Sequence, residues 1–321
     1  MISILVAAYN AVETLPQCLD SLCGQTYTQV EILCVDDHST DGTLALLRQR
    51  AEADPRIHVI ALEQNMGQAA ARNIALHQAT GDYIVMVDAD DWLSLDCLER
   101  AAQVFQTHPA TDCVVLQLTE VYDTCQHARP CPIGGQEVLS GLEAFEMCMD
   151  GWQLHGLYVA RRHLYEQFPF DTTTRLYSDD NTSRLHYLHS REVRPCQGIY
   201  YYRKHPASMT NRFSLRRFDF MEANLSLLFA LKKEAIRPTT LRRFEGERWY
   251  TFIKCYRMYL THRGDIQNED ISSLQQRFNT ILHTFRPSRL PRRYRWKPGY
   301  WLTLSLPLFD LQQRLYLALK R

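Results

Sequence analysis

The 321-residue chain has no excess of either charge, no paired-cysteine motif and no long apolar run. Lysine and arginine together number 36, as do aspartate and glutamate, so there is no overall attraction towards nucleic acid. No segment reaches the roughly 18–20 uninterrupted apolar residues of a membrane span, since Pro307, Asp310 and Arg314 interrupt the nearest candidate. We therefore expect a protein that binds no nucleic acid and does not cross a bilayer.

The ten cysteines are scattered, and none belongs to a CxxC pair. No signal peptide is visible, because the apolar start Ile2–Ala8 is short and lacks a preceding basic region. Free thiols in a reducing compartment are the simplest interpretation. The expected location is the cytoplasm, with the inner face of the cell membrane as the alternative.

Short apolar runs alternate with segments of helical period over the first 120 residues. The predicted strands are Ile2–Ala8, Glu31–Val35, Ile57–Leu62, Tyr83–Val87 and one within Asp112–Tyr122. Such alternation is typical of βαβ units with right-handed crossovers. From about residue 214 the pattern is wholly helical. The sequence thus predicts an α/β fold, a mostly parallel sheet flanked by helices, with a helical C-terminal extension.

Polar side chains stand at the carboxyl ends of three predicted strands. Tyr9 follows the first strand, Asp37 the second, and Asp88 and Asp90 the fourth. Parallel strands end at the same edge of a sheet, so these side chains converge. Neighbouring carboxylates repel one another unless a cation lies between them, and Mg²⁺ and Mn²⁺ prefer carboxylate oxygens. The pattern predicts a divalent cation that carries phosphates.

Simpler structural roles compete with each of these assignments. Asp88 and Asp90 alone are also typical of turns and helix caps. Asp37 is a candidate cap of the next helix, for which Asp41 competes. Arg72, which follows the loop 65–67, is a candidate phosphate ligand or a surface salt-bridge partner.

Asp91 differs from its two acidic neighbours in its position along the chain. It leads into Trp92-Leu93 and a predicted helix, which favours a local capping or structural role over ligand binding.

Four motifs occur in a fixed order: Ile4–Asn10 (ILVAAYN), Val35–Thr43 (VDDHSTDGT), Asn65–Asn73 (NMGQAAARN) and Gly81–Asp91 (GDYIVMVDADD). On these motifs the chain resembles the family 2 glycosyltransferases of GT-A fold, closely over residues 1–110 and more loosely to about residue 210. The resemblance implies a nucleotide-diphosphate-sugar donor, a Mn²⁺ or Mg²⁺ ion and inversion at the anomeric carbon. The implied donor is first of all a UDP-sugar. The implied acceptor is a hydroxyl of a glycan or lipid-linked saccharide, in the assembly of a surface polysaccharide.

The resemblance also implies separate roles for residues in the first 110 positions. The donor-binding residues would be Ala7, Tyr9, Asp37, Arg72, Asp88 and Ala89. Asp37 and Tyr9 would hold the base, Asp88 would face the ribose or sugar, and Asp90 together with Asp88 would hold the metal. Ala7-Ala8 stands where the family often has Pro-Thr or Pro-Ser, which leaves only backbone groups of this loop for the base.

Two later segments resemble the family's acceptor and diphosphate regions. Asp179-Asp180, in the sequence YSDDN, resembles the acidic pair that opens a helix. Asp180 matches the catalytic base and Asp179 its neighbour, with Asp179 as the rival base and first-turn helix acids as the simpler interpretation. Tyr200–Met209 resembles a segment from which Arg203, His205 or Ser208 would close over the diphosphate.

The expected domains are residues 1–212, the GT-A domain, and residues 213–321, the helical extension. The first would contain a nucleotide-sugar half, 1–110, and an acceptor half, 111–212. Residues 286–297 hold five arginines and a lysine without an acid, and an aromatic–leucine segment follows them. This pattern favours peripheral membrane contact through 286–321, with a solvated linker or leucines packed into a helical core as alternatives.

Two other functions compete with sugar transfer. A sugar nucleotidyltransferase also uses a Rossmann-like sheet and Mg²⁺, but it needs a Gly-rich basic loop after the first strand. Residues 8–16 contain no glycine, arginine or lysine. A non-catalytic, glycosyltransferase-like scaffold is the other alternative, against which Asp88, Asp90 and Asp180 argue.

Overall fold

The computed structural model describes residues 1–131, 133–149, 153–204, 213–292 and 305–319, without the side chains of Ser178, Asp179 and Pro287. The chain divides into two compact units, Met1–Phe213 and Ser214–Arg321. The assignment of a donor half and an acceptor half within the first unit remains a prediction.

The first unit alternates strands and helices. Its elements are β1 Ile2–Ala8, α1 Leu15–Cys23, β2 Val30–Asp36, α2 Thr43–Ala53, β3 Ile57–Ala61, α3 Gln68–Gln78, β4 Tyr83–Met86, β5 Trp92–Leu93, α4 Cys97–Thr107, β6 Thr111–Val121, β7 Gln126–Ala128, α5 Gly141–Met147, β8 Tyr158–Arg161, α6 Arg162–Gln167, α7 Ser178–Leu188 and β9 Glu192–Arg203.

One sheet in the order β3-β2-β1-β4-β8-β6-β9-β5 runs through this unit, and β7 pairs with β6. The strands β3, β2, β1 and β4 are parallel, in a register that pairs Ala8 with Asp36. Beyond β4 the sheet is mixed, because β8 runs antiparallel to both β4 and β6 while β9 runs parallel to β6. The predicted α/β fold with its parallel strands, flanking helices and helical C-terminal region is confirmed.

Helices cover both faces of the sheet at β1 and β2, which is why these two strands are almost wholly apolar and buried. Along β1, Ile4 and Val6 pack in a core with Leu19 of α1. The alternate residue Leu5 packs on the other face with Ala71 of α3. The small residues of α3 let this helix approach the sheet closely, which brings its first turns to the carboxyl edge of the strands.

The segment that leads to α7 is tied to α3. The Asn73 side chain donates to the Phe170 carbonyl and accepts from the Phe170 N–H, each at 2.9 Å. Asp171 then accepts a 2.7 Å hydrogen bond from Asn181 Nδ2 on the first turn of α7. These contacts fix the start of α7 relative to α3.

Helix α7 has a buried polar face. His186 is fully buried, with Nδ1 2.7 Å from the Tyr158 hydroxyl and Nε2 2.8 Å from the Phe168 carbonyl. Burial lowers the pKa of His186 to about 3, so this imidazole is neutral and structural near neutral pH.

The second unit is helical and is built from α8 Asp219–Leu231, α9 Pro238–Thr261, α10 Asn268–Leu282 and α11 Leu306–Leu319. Its core is an aromatic cluster in which Phe252 of α9 contacts Phe278 of α10 and Phe309 of α11, with ring centroids 5.8 and 5.3 Å apart. Of the helices within the described ranges, none combines the length and the apolar character needed to cross a membrane.

Gly141, the first residue of α5, lies against the end of α7. A Cβ at this position would be 2.3 Å from the Ser190 carbonyl oxygen and 2.4 Å from that of Tyr187. Backbone oxygens cannot rotate away as a side chain does, so the two helices would have to separate.

We predict that Gly141→Ala lowers the free energy of unfolding by about 1–3 kcal/mol or more, because it overpacks this contact. The measurement is urea unfolding followed by circular dichroism. Gly264→Ala is the matched control, since no atom lies within 4 Å of its added Cβ. Equal stability of the two variants would contradict the close contact of α5 with α7.

Candidate functional site

An acidic loop, residues 88–91, joins β4 to β5 at the carboxyl edge of the parallel strands. Carboxylate oxygens of Asp88, Asp90 and Asp91 lie within 4.8 Å of one another. Asp90 is exposed, Asp88 is half-buried and Asp91 is buried. Although the Asp90 side chain is exposed, the protein packed around it partly desolvates its carboxyl, and this together with the charge of Asp88 raises the pKa of Asp90. Burial and both neighbouring charges raise the pKa of Asp91. The loop therefore concentrates negative charge where a cation would relieve it.

The end of β9 holds the acidic loop in place. The Tyr200 hydroxyl accepts from the Asp88 N–H at 3.1 Å and donates to Asp91 Oδ2 at 2.8 Å. The Arg203 N–H donates to Asp91 Oδ1 at 2.8 Å. Both oxygens of Asp91 thus accept protein donors, whereas Asp90 projects to the surface. Asp91 has a structural role but caps no helix, because Trp92–Leu93 forms strand β5.

Arg203 reaches across the acidic loop. Its Nε donates to the Asp90 carbonyl at 2.8 Å, its Nη2 donates to Gln17 Oε1 at 2.5 Å, and its guanidinium lies 4.8 Å from the Trp92 ring centre. The guanidinium would have to leave these partners to close over a diphosphate. The donor contact of Arg203 remains a prediction.

Asp88 has its own counter-charge in α3. Arg72 Nη2 donates to Asp88 Oδ1 at 2.5 Å, and Gln68 Nε2 donates to the same oxygen at 2.9 Å. Arg72 is only 2% exposed and lies 5.5 Å from the Phe170 ring centre. Arg72 therefore forms its salt bridge with Asp88 from the interior of the protein, not on its surface. A direct contact of Arg72 with a donor remains a prediction.

Asp37 organises the loop after β3. Its two carboxylate oxygens accept from the backbone N–H groups of Met66, at 2.7 Å, and Gly67, at 2.8 Å. Gly67 has φ +90°, a conformation that favours glycine. Asp41, not Asp37, accepts from the backbone at the start of α2, through the Thr43 N–H at 2.9 Å. The contact of Asp37 with a base remains a prediction.

The loops after β1 and β2 join at the same edge. The Asp37 N–H donates to the Ala8 carbonyl at 2.8 Å, and the Thr40 N–H donates to Asn10 Oδ1 at 2.8 Å. Tyr9, between these contacts, is 52% exposed, so its ring is open to a ligand. Ala7 is half-buried and Ala89 is buried, which leaves their backbone groups as the candidate contacts.

Asp180 lies in the first turn of α7 and is half-buried. The segment before this turn reaches the loop after β3, because Arg175 Nη1 donates to Asn65 Oδ1 at 3.4 Å. The side chain of Asp179 and the whole of His205 and Ser208 lie outside the described residues, so their assigned roles remain predictions, as does that of Asp180.

Sequence reasoning missed Tyr200, Gln68 and Gln17. The run Tyr200-Tyr201-Tyr202 gives no sign of which hydroxyl turns to the acidic loop. The pairing of β9 with β5 and with β6, which places Tyr200 opposite Leu93 and Leu118, sets that register.

The chain is similar in sequence to known proteins. Residues 3–158 match the family described as Glycosyl transferase family 2. TuaG of Bacillus subtilis strain 168, named for teichuronic acid biosynthesis, is 41% identical over 100 residues, which are 31% of this chain and 40% of TuaG. The glycosyltransferase GlyG of Streptococcus pneumoniae serotype 4 is 27% identical over 227 residues, which are 67% of this chain and 75% of GlyG. The chain thus spans less than half of TuaG and a larger share of GlyG.

Solved structures share the fold. TarS 1–349 of S. aureus in complex with UDP-GlcNAc is similar with a TM-score of 0.74 and 19% identity, over 97% of this chain and 88% of that one. The mannosyltransferase PcManGT of Pyrobaculum calidifontis, in complex with GDP-Man and Mn²⁺, has a TM-score of 0.54 and 17% identity, over 98% and 86%. At these identities the likeness concerns the fold alone.

We predict that Tyr200→Phe lowers the free energy of unfolding by about 1–3 kcal/mol, because the Asp88 N–H and the Asp91 carboxylate lose a buried partner. Urea unfolding gives the measurement. The neighbouring change Tyr201→Phe removes a hydroxyl outside this network and is expected to stay within about 0.5 kcal/mol of the parent. If both variants are as stable as the parent, the Tyr200 hydroxyl does not hold the loop.

Proposed function

We propose that this chain, whose residues 3–158 match glycosyl transferase family 2, transfers a sugar, with inversion, from a nucleotide-diphosphate donor to a hydroxyl of a glycan or lipid-linked saccharide. The observation that carries this proposal is the acidic loop at the carboxyl edge of the parallel strands, beside the exposed Tyr9. The open α/β sheet binds ligands at this edge. A UDP-sugar is the proposed donor, supported by the complex of TarS with UDP-GlcNAc.

The proposed metal ligands are Asp88 and Asp90. An all-carboxylate donor set suits Mn²⁺ or Mg²⁺, and both oxygens of Asp91 already accept protein hydrogen bonds. The bound ion would supply positive charge beside the leaving diphosphate. Arg72 pairs with the carboxylate of Asp88 and fixes its orientation, while Tyr200 and Arg203 hold the loop backbone.

The proposed donor contacts surround this loop. Tyr9 offers an exposed ring for the base, with backbone groups of Ala7 beside it. Asp37 holds the loop 65–67 and contacts the base through its remaining acceptor capacity. Asp88 and the backbone of Ala89 face the ribose or sugar. Arg203 and His205 are the proposed diphosphate contacts.

The proposed base is Asp180, with Asp179 as its rival. The acceptor hydroxyl oxygen forms a bond to the anomeric carbon from the face opposite the diphosphate. The bond from that carbon to the diphosphate oxygen breaks, and the hydroxyl proton passes to the carboxylate. This single displacement inverts the anomeric centre.

The proposed setting is the assembly of a surface polysaccharide at the cytoplasmic face of the membrane. The similarity to TuaG, a protein named for teichuronic acid biosynthesis, supports the polysaccharide. We also propose that residues 286–321 supply peripheral membrane contact.

A panel of UDP-, GDP- and dTDP-sugars with Mn²⁺, followed by nucleotide release, tests the reaction class. Release of a nucleoside diphosphate supports glycosyl transfer. Pyrophosphate release would indicate a nucleotidyltransferase, and no turnover with any donor would favour a non-catalytic scaffold.

We predict that Asp90→Ala weakens Mn²⁺ binding by at least about tenfold, since even the loss of groups that orient a ligand costs about 10–100-fold. The free Mn²⁺ signal in electron paramagnetic resonance measures binding without any turnover. Glu52→Ala, at an exposed acid of α2, is the control and should bind as the parent does. Unchanged binding in Asp90→Ala would refute the metal assignment.

We predict that Asp180→Asn lowers the rate of transfer by roughly 10²–10⁴-fold, because the amide cannot take the acceptor proton. Donor binding, measured by calorimetry, should be retained. The same carboxyl-to-amide change at Glu166, exposed on α6, is the control and should leave both quantities unchanged. Normal transfer by Asp180→Asn would leave Asp179 as the candidate base.

A further inference from the structure

Helix α11 carries a row of exposed leucines, here called the leucine face. Leu308, Leu311, Leu315 and Leu319 are 51, 56, 56 and 89% exposed. At about 100° per residue these four positions fall within an arc of roughly 80°. Four large apolar side chains aligned on one surface indicate an interaction site, whereas single exposed leucines are ordinary.

Contacts made by the opposite side of α11 fix the orientation of the leucine face. Phe309 is fully buried, 5.7 Å from the Trp249 ring centre. Gln313 is also fully buried and accepts from Arg257 Nε at 2.9 Å, and Asp310 accepts from the Tyr256 hydroxyl at 2.8 Å. Because the buried side of α11 already packs on α9, the leucine face is not part of the core of the second unit.

A basic turn lies beside the start of this helix. Trp249 contacts both Phe285, at 5.1 Å, and Phe309, at 5.7 Å, so the turn that carries Arg286 neighbours the first turn of α11. Arg286, Arg289 and Arg292 form no ion pair with another residue of the described ranges. Arg293, Arg295 and Lys297 continue the basic sequence outside the described residues.

The length of α11 decides how it would meet a bilayer. Its 14 residues extend about 21 Å, less than the roughly 30 Å hydrocarbon core. An apolar face on one side of a short helix, with uncompensated cations next to it, fits the plane of an anionic lipid surface.

We infer that the leucine face of α11 inserts into the interfacial region of an anionic bilayer, with Arg286, Arg289 and Arg292 at the level of the headgroups. This deepens the membrane contact proposed above by naming the helix face and the lipid charge. It does not depend on the sugar-transfer step, so each is tested by its own readout.

The experiment is flotation of the full chain with vesicles of phosphatidylcholine and phosphatidylglycerol. Leu311→Ser/Leu315→Ser should lower partitioning on the order of 100-fold, because two exposed leucines lose their transfer into lipid. Leu95→Ser is the matched control, since Leu95 is 59% exposed but stands alone on the first unit. It should partition as the parent does.

The contact of the arginines with the headgroups is tested separately. Arg286→Gln/Arg289→Gln, high salt, or vesicles of phosphatidylcholine alone should each weaken binding at least about tenfold. Circular dichroism and nucleotide release establish that each variant is folded, so that failed binding is separated from failed catalysis.

Three outcomes would overturn the inference. The first is that the parent protein does not float with anionic vesicles, and the second is that Leu311→Ser/Leu315→Ser floats as well as the parent. The third is that light scattering shows a parent dimer that Leu311→Ser/Leu315→Ser dissociates, which would assign the leucine face to a second copy of the chain.

Discussion

Mutual repulsion among Asp88, Asp90 and Asp91 is the constraint around which the first unit is organised. Two separate elements reduce this repulsion. Helix α3 brings Arg72 to Asp88 from inside the protein, and β9 brings a hydroxyl and a backbone N–H to Asp91. The charge that remains lies at Asp90, on the solvent side. The fold thus compensates the charge of the loop on its buried side and leaves the carboxylate of Asp90 facing solvent.

The sequence predicted the first half of the fold well because the signals there are local. Strands buried on both faces give unbroken apolar runs, and the predicted Ile2–Ala8 is β1 to the residue. The polar residues that follow each strand lie at one edge because parallel strands end together. The predicted helical extension follows equally from its helical period and lies within the second unit.

The structure of the second half of the first unit was harder to predict because it depends on long-range contacts. Helix α7 buries Asn181, Thr182 and Arg184, so an apolar period does not mark its inner face. The short strand β5 exists only because β9 pairs with it. For Arg72 the sequence left a phosphate contact and a surface salt bridge open, since a sequence does not show that Asp88 and Phe170 enclose this side chain. The role of Asp91 was likewise hidden, because its partners Tyr200 and Arg203 are more than a hundred positions away.

That separation has a consequence for the order in which the protein is built. Arg72 stands 16 residues from Asp88, so a growing chain has this counter-charge before the loop is made. Tyr200 meets Asp91 across 109 residues, and β9 must first pair in parallel with β6, a slow kind of pairing. A nascent chain that ends before β9 therefore has the acidic loop paired with Arg72 but without its hydrogen bonds to Tyr200 and Arg203. The edge that carries the acidic loop is therefore expected to be among the last parts of the unit to become rigid.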